Sequence, residues 1–318
     1  MAIMITVCDI SALSRWAEKD LARRLGPPLE QPEGWSLPCA SSLDESVLRA
    51  ARLEATPARP LHILVCAEDR RIRTPVLRNH IWSTPLPAGA LYQLTPEVLL
   101  ASPRFCLQQM APRSSLARTA SIATEICGTY ARSPRSPEGF FRRAPLDTAR
   151  DLRTYFDAAR GYGAGRVREA LPYVVDGSRS PMETVLVLAL VLPVELGGCG
   201  LPLPALNQRV EIPPELQLAL GKPYVTVDIC WPGTRTILEY DSYRWHTAPR
   251  ALDSDASRSE GLRDLGWMVR SVTDGLLEDD AALRLLTDRV AARFGRSLPH
   301  DDDFILLRRS LVNELMRV

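Results

Sequence analysis

Apolar positions along the N-terminal part of the chain follow two spacings, one typical of amphipathic helices and one typical of strands. Residues 11–25 and 41–54 have helical spacing, and a Pro/Gly-rich stretch separates them. Three strand-length apolar runs follow, at Leu61–Cys66, Val76–Trp82 and Leu91–Leu94. Ser102 then begins a helix to about Met110, because Ser favours the N-cap and the next residue, Pro, favours the first turn.

The second half of the chain also alternates helical and strand patterns. Ser115 to Val175 is mostly helical in pattern, with a loop at Ser133–Gly139. Ser180 caps a helix over Met182–Leu192 that is apolar on nearly all sides and is therefore expected to be buried. The remaining predicted elements are strands at Tyr224–Cys230, Arg235–Asp241 and Trp267–Val272 and helices at Asp255–Gly266 and Asp279–Phe294. This order predicts an α/β fold with a mixed sheet in the C-terminal part.

Length and charge divide the chain into two domains. A chain of 318 residues exceeds the size of one compact core, so we expect domains at 1–174 (α+β) and 175–318 (α/β). The whole chain has a net charge of +1, but the first part carries +6 and the second −5. Near-neutral overall charge does not indicate a polyanionic partner.

The composition predicts a cytoplasmic protein without a membrane span. The first ten residues have no basic region, and Asp9 interrupts their apolar run, which argues against a signal peptide. The most apolar stretch, Val185–Val194, is half the length that a span needs. Seven cysteines, an odd number without metal-ligand spacing, indicate reduced thiols.

One local charge bias is large enough to suggest a phosphate-facing surface. Residues 104–168 contain twelve arginines, Arg166 among them, and five acidic residues. A solvated face is the alternative interpretation of this bias. The sequence Gly161–Gly165 is interpreted as a turn and not as a dinucleotide loop, because Arg166 stands where the third glycine of that motif belongs.

The C-terminal strands carry the clearest candidate chemistry. If Gly233 and Thr234 form a two-residue hairpin loop, Asp228 lies directly opposite Glu239, and Asp241 shares their face of the sheet. Carboxylates that close repel one another, and a divalent cation held by oxygen ligands relieves the repulsion. The sequence therefore predicts a Mg²⁺ site, which Mn²⁺ can also fill. The alternative is that these side chains cover the exposed face of an edge hairpin and bind nothing.

Several short motifs in order resemble the restriction-endonuclease-like PD-(D/E)XK superfamily, in its branch related to very-short-patch mismatch-repair endonucleases. The matching residues span about 180–275. They are Ser180-Pro-Met-Glu183, Val227-Asp228, Leu238-Glu239-Tyr-Asp241, Trp245-His246, Asp255 with Arg258, Leu262, and Gly266-Trp267-x-Val269. The resemblance implies a bacterial protein with a Mg²⁺-dependent nuclease fold that acts on DNA.

The resemblance also implies roles for single residues. Asp228 and Glu239 would hold Mg²⁺, Glu183 would support the metal from the first helix, and Asp241 stands where many members have the catalytic lysine. His246 matches a proton-transfer histidine. Other interpretations stay open: Glu183 is also a capping-box residue, and His246 is also suited to packing beside Trp245. Arg258 and Arg166 are the candidate DNA-binding residues, and a structural salt bridge is the alternative for Arg258.

The N-terminal half resembles more faintly the antitoxin regulators of bacterial abortive-infection systems. The residues that carry this likeness are His62-Ile-Leu-Val65, His80-Ile-Trp-Ser-Thr-Pro-Leu-Pro87 and Leu100-Ala-Ser-Pro103. Two hypotheses therefore follow for the whole chain. The first is a Mg²⁺-dependent DNA endonuclease, and the second is a non-catalytic regulator that retains a nuclease fold and binds DNA or protein.

Overall fold

The chain folds into two compact units, each with its own sheet. The computed structural model describes residues 4–32, 35–40, 42, 44–134, 136–214, 217, 223–241 and 259–317. The first unit consists of residues 1–126 and 130–172, and the second consists of residues 127–129 and 173–318. Helices combine with parallel and antiparallel strand pairs, so the predicted α/β fold is confirmed. Within the described ranges, every helix is too short or too polar to cross a bilayer.

The first unit contains helices and short strands in alternation. Its strands are β1 (Ile5–Val7), β2 (Leu61–Val65), β3 (Leu77–Ile81), β4 (Leu91–Thr95), β5 (Val98–Ala101), β6 (Tyr130–Arg132) and β7 (Phe140–Arg142). Its helices are α1 (Asp9–Trp16), α2 (Leu21–Arg24), α3 (Glu45–Ala50), α4 (Pro103–Met110), α5 (Leu116–Cys127), α6 (Ala149–Ala158) and α7 (Ala164–Ala170).

A five-stranded sheet organises the described part of this unit, in the order β3-β2-β1-β5-β4. β1 runs parallel to β5 and antiparallel to β2, while β2 and β3 are parallel. Val7, Leu64 and Leu99 are among its fully buried side chains. β1 was not predicted, because a strand of only three residues is too short to show a periodic pattern.

Two predicted features of this unit are wrong. In the segment Ser115–Val175, predicted as mostly helical, the predicted loop at Ser133–Gly139 connects two strands and not two helices, since β6 and β7 form an antiparallel hairpin. The rings of Tyr130 and Phe140 meet edge to face across this hairpin, with centroids 6.1 Å apart, and such aromatic pairs favour strands over helix. The predicted helix over 11–25 is broken after Trp16, where Asp20 takes a left-handed φ of 63°.

The second unit packs helices on a mixed four-stranded sheet. The strands are β8 (Ala205–Glu211), β9 (Tyr224–Trp231), β10 (Thr236–Tyr240) and β11 (Met268–Val272). Its helices are α8 (Pro181–Val191), α9 (Asp274–Glu278), α10 (Asp280–Ala292) and α11 (Asp302–Met316). The strand order is β11-β10-β9-β8, and only β10 and β11 are parallel among these pairs. β9 and β10 therefore occupy the middle of the sheet.

The register of the central hairpin is confirmed, but the predicted turn is wrong. Trp231 pairs with Thr236 and Ile229 with Leu238, which is the predicted alignment. The loop is a four-residue turn over 232–235 that contains a 3-10 helix, and Arg235 closes it with a φ of 47°. Glycine is not the residue with positive φ here. The apolar pattern fixes register more strongly than the loop does.

Glycine ends the helix that precedes β11, as predicted. Residues 259–264 are helical, and Gly266 follows with a φ of 81°. The backbone N–H of Trp267 donates to the carbonyl of Leu262 at 3.1 Å, the long hydrogen bond of a Schellman ending. The start of the predicted helix at Asp255 lies outside the described residues.

Candidate functional site

Asp228 and Glu239 face each other across the central hairpin. One step beyond the pair of Ile229 and Leu238, the register places Asp228 opposite Glu239. The backbone N–H of Asp228 donates to Oε2 of Glu239 at 3.4 Å, and the N–H of Tyr240 donates to Oδ2 of Asp228 at 2.9 Å. Where the backbone hydrogen bonds between β9 and β10 end, side-chain carboxylates therefore replace backbone carbonyls as the acceptors for backbone N–H groups. Because β9 and β10 are interior strands, the alternative of an edge hairpin does not hold.

Glu183 approaches the same site from the first turn of α8. Ser180 caps the helix, since its Oγ accepts from the N–H of Glu183 at 3.1 Å. Oε2 of Glu183 accepts from the N–H of Arg179 at 2.9 Å and from the amide of Asn207 at 3.2 Å. The residue is only 6% exposed. Burial, followed by the nearby charge of Asp228, raises the pKa of Glu183 to about 7, against the effect of its hydrogen bonds.

Asn207 is a member of this site that the sequence did not reveal. Its neighbours Leu206 and Gln208 pair with Ile229 and Val227, so Asn207 stands level with Asp228 on the adjacent strand. It adopts a φ of 50° and donates to the carbonyl of Gly177 at 2.9 Å as well as to Glu183. Its Oδ1 is buried and accepts no hydrogen bond from the described residues. No local motif identifies it, because its role depends on strand pairing.

The remaining residues of the predicted site have different positions. Asp241 directly follows β10, and its N–H donates to the carbonyl of Val272 at 2.9 Å, which extends the pairing with β11. Arg166 is exposed on α7, and its Nη1 lies 3.3 Å from Oε2 of Glu169. His246 and Arg258 lie outside the described residues, as do their predicted neighbours Trp245 and Asp255. The functional roles of Asp241, Arg166, His246 and Arg258 therefore stay predictions.

Several arginines of the segment 104–168 stabilise the first unit itself. Arg104 forms a two-point ion pair with Asp147, and its Nη2 lies 2.8 Å from Oδ1. Arg160 and Arg168 donate to backbone carbonyls at the end of α6, at 2.9 Å and 2.8 Å. Such bonds satisfy carbonyls that a helix end leaves unpaired. The charge bias of this segment therefore has a structural use, whatever else it does.

A second cluster, not predicted, lies in the first unit. Asp9 begins α1, and His62 and His80 lie on the neighbouring parallel strands β2 and β3. Nδ1 of His62 is 3.2 Å from Oδ1 of Asp9 and 2.9 Å from Nε2 of His80. Among the residues that the structure describes, this is the group of three potential metal ligands whose atoms all lie within 4.8 Å of one another. We name it the Asp–His–His cluster.

Charged and polar neighbours surround the Asp–His–His cluster. Nη2 of Arg113 pairs with Oδ2 of Asp9, and Nη1 lies 3.3 Å from Nδ1 of His80. Burial raises the pKa of Asp9, but hydrogen bonds from His62 and the backbone outweigh it and bring the value to about 2. Burial lowers the pKa of His80 to about 4. At neutral pH the cluster therefore contains an ionised carboxylate and a neutral imidazole.

Two proteins of Mycobacterium tuberculosis are similar to this chain. They are uncharacterized protein MT2308 of strain CDC 1551 / Oshkosh and uncharacterized protein Rv2248 of strain ATCC 25618 / H37Rv. Each is 30% identical over 201 residues, which cover 60% of this chain and 64% of the relative. The match thus spans less than two thirds of these relatives. No protein-family model and no solved structure matches the chain.

Proposed function

We propose that the second unit is a Mg²⁺-dependent endonuclease that hydrolyses phosphodiester bonds in DNA. The observation that carries this proposal is the position of Asp228 opposite Glu239, with the buried carboxyl of Glu183 beside them. Among the described residues, the order around this site is one helix (α8), three strands (β8, β9 and β10), a helix at 259–264 and a strand (β11), and this order is compatible with the resemblance to the PD-(D/E)XK superfamily.

The donor set suits Mg²⁺ or Mn²⁺. Both ions prefer oxygen ligands, and Mg²⁺ is commonly held by one or two carboxylates together with water and substrate phosphate. Asp228 and Glu239 supply two carboxylates from adjacent strands. The buried Oδ1 of Asn207 is an amide oxygen without a hydrogen-bond partner among the described residues, and it is a further oxygen donor beside Glu183. A cation also offsets the repulsion that raises the pKa of Glu183.

Each side chain has a distinct task in this mechanism. Asp228 and Glu239 would hold the ion through their carboxylate oxygens. A bound Mg²⁺ would supply Lewis-acid stabilisation of the scissile phosphate and a more acidic water. Glu183 is a positioning residue: its bonds to Arg179 and Asn207 hold its carboxyl group beside Asp228. By the resemblance, His246 is the residue that transfers a proton during hydrolysis. Asp241 adds negative charge at the edge of the site.

The proposal requires DNA as a partner. Arg166 and Arg258 are the proposed phosphate contacts, and Arg166 is exposed on α7. Phosphate contacts by arginine make binding fall as salt concentration rises. A binding constant for DNA that does not change with salt would contradict this part of the proposal.

Calorimetric titration with Mg²⁺ and Mn²⁺ tests the site directly. The chain is compared with Asp228→Ala/Glu239→Ala and with Asp303→Asn, which removes an exposed carboxylate from the start of α11. We expect the chain and Asp303→Asn to bind alike and the double variant to lose binding. The same three proteins are then incubated with supercoiled, linear duplex and single-stranded DNA in Mg²⁺ and in EDTA.

Each outcome separates the two hypotheses. Cleavage that needs Mg²⁺ and disappears in the double variant supports the endonuclease. Metal binding without cleavage of any DNA form contradicts catalysis and favours the non-catalytic regulator. No metal binding at millimolar concentration, with DNA present, contradicts the site as well.

A further inference from the structure

We propose that Asp9, His62 and His80 form a second metal site. It binds a divalent transition-metal ion, with Zn²⁺ as the typical case, through two imidazole nitrogens and one carboxylate oxygen. This Asp–His–His cluster belongs to the first unit, and the proposal does not depend on the proposed nuclease. Two imidazoles and one carboxylate are typical zinc ligands, whereas Mg²⁺ prefers oxygen alone.

The spacing of the three ligand atoms is close to what such an ion requires. Bonds of about 2.0–2.1 Å in a tetrahedral site place ligand atoms about 3.4 Å apart. Nδ1 of His62 already lies 3.2 Å from Oδ1 of Asp9 and 2.9 Å from Nε2 of His80. These two separations differ from that distance by 0.2 Å and 0.5 Å, and all three ligand atoms lie within 4.8 Å of one another.

The protons available to the cluster cannot satisfy all its contacts. A guanidinium only donates, so Nδ1 of His80 must accept from Arg113 at 3.3 Å. A His80 ring with one proton then carries it on Nε2 and donates to Nδ1 of His62. That nitrogen becomes an acceptor, and it faces an acceptor oxygen of Asp9 at 3.2 Å.

The other tautomer only moves the conflict. A proton on Nδ1 of His62 satisfies Asp9, but Nε2 of His80 must then accept, and its ring proton moves to Nδ1 against the N–H of Arg113. One contact is unsatisfied in each arrangement. A cation between the three ligand atoms replaces the missing proton, because it accepts lone pairs from all of them.

The backbone holds Asp9 in place for this role. Asp9 adopts a φ of 55°, which is costly for a residue other than glycine, and its N–H donates to the buried Oε1 of Gln109 at 3.2 Å. The residue is 3% exposed. Strained, well-anchored positions of this kind are typical of functional sites.

One member of the cluster, His62, borders a pocket of about 640 Å³. Three protein ligands leave a fourth coordination position for water or a ligand, as in catalytic and not in structural zinc sites.

Arg113 must move when the metal binds. Once Nε2 of His80 holds the ion, the ring proton lies on Nδ1, so the contact with Arg113 is lost. The Arg113 side chain is 52% exposed, which allows it to turn toward solvent. Because its charge opposes the ion, Arg113→Gln is expected to raise metal affinity.

The test uses the full chain carrying Asp228→Ala/Glu239→Ala, so that the proposed Mg²⁺ site does not contribute. Co²⁺ is titrated into this protein and followed by visible ligand-field absorption, and Zn²⁺ is then added in competition. We expect one equivalent of Co²⁺ with an imidazole-type spectrum, displaced by Zn²⁺. His62→Ala and His80→Ala should each weaken binding by about 100-fold, at least as much as loss of an outer hydrogen-bond partner does.

His300→Ala is the matched control, because it removes an exposed histidine from the second unit. Its titration should match that of the parent protein. The proposal is overturned if the folded parent takes up neither Co²⁺ nor Zn²⁺, a measurement that needs no histidine variant. It is also overturned if His300→Ala abolishes the spectrum while His62→Ala and His80→Ala preserve it.

Discussion

The side-chain amide of Asn207 donates to the buried carboxylate of Glu183 at 3.2 Å, and so joins an edge strand to the start of a helix. The same amide donates to the carbonyl of Gly177. We expect Asn207→Ala to lower the free energy of unfolding of the second unit by about 1–3 kcal/mol, because buried partners are left unsatisfied. Urea unfolding measures this change.

Asn207→Gly is the control for the backbone. It loses the same two hydrogen bonds but tolerates the φ of 50°. We therefore expect it to be less destabilised than Asn207→Ala by about 1 kcal/mol, the cost of a left-handed conformation. Wild-type stability in both variants would show that the amide holds nothing together.

The buried carboxyl of Glu183 predicts a decrease in stability as pH rises. Its pKa is about 7 in the folded protein, against an ordinary value of 4.5, so the folded state retains a proton that the unfolded state releases. In EDTA, its contribution to the free energy of unfolding should fall by about 3 kcal/mol between pH 4.5 and 7 and be level outside that window. Glu183→Gln should remove this slope, which urea unfolding at each pH detects. An unchanged slope would contradict the raised pKa.

The negative charge of Asp228 should lower the free energy of unfolding of the second unit when no metal is present. Asp228→Asn keeps an oxygen that accepts from Tyr240, but it removes a negative charge beside Glu183. One pKa unit of relief at Glu183 corresponds to about 1.4 kcal/mol, so we expect stability to rise by that order at pH 8 in EDTA. Mg²⁺ should stabilise the wild type and not the variant. Thermal unfolding with and without Mg²⁺ checks both statements. Asp303→Asn is the control, and it should change neither the stability in EDTA nor the stabilisation by Mg²⁺.

Gly163 allows close packing before α7, and an alanine there should be harmful. A Cβ at this position would lie 2.0 Å from the carbonyl oxygen of Gln108, and the backbone has a φ of 89°. We expect Gly163→Ala to destabilise the first unit by about 1–3 kcal/mol. Gly165, inside α7, meets only the end of the Arg168 side chain at 3.9 Å. Gly165→Ala should therefore be neutral or stabilising by up to about 1 kcal/mol. Equal effects in the two variants would be inconsistent with this packing.

Cys39 and Cys66 are free thiols with sulfur atoms 3.3 Å apart. Burial raises the pKa of Cys39 to about 11, so its reactive thiolate is scarce at neutral pH. We expect diamide to join the pair slowly at pH 7 and faster at pH 9, with a mass loss of two hydrogens. Cys39→Ser should prevent the reaction, and Cys199→Ser, at a fully buried thiol, should not.

The hydrophobic pattern of the sequence predicted the strand pairing of the second unit better than it predicted the candidate sites. Alternation in β9 and β10 fixed their register, although the turn has Arg235 and not Gly233 as its strained residue. The hydrophobic faces determine pairing over several residues, whereas a loop of four can close in several ways. Asp228 and Glu239 were therefore predicted to face each other.

The sites that depend on distant segments were beyond such prediction. Asn207 joins Glu183 only because β8 pairs with β9, and β8 has no clear alternation. Asp9, His62 and His80 meet only because β2 lies between β1 and β3. The spacing of these residues along the sequence contains no information about that strand order. It also gives no indication that the cluster has too few protons for all its hydrogen bonds.

The interior position of β9 and β10 has a consequence for how the second unit opens. Hydrogen exchange at sheet edges occurs through small local openings, while interior strands exchange only through larger ones. Asp228 and Glu239 lie on interior strands, so fraying of β8 or β11 leaves β9 and β10 paired with each other next to these residues. The amides of the central hairpin should be among the slowest of the unit to exchange, and the two carboxylates should separate only when the unit unfolds as a whole.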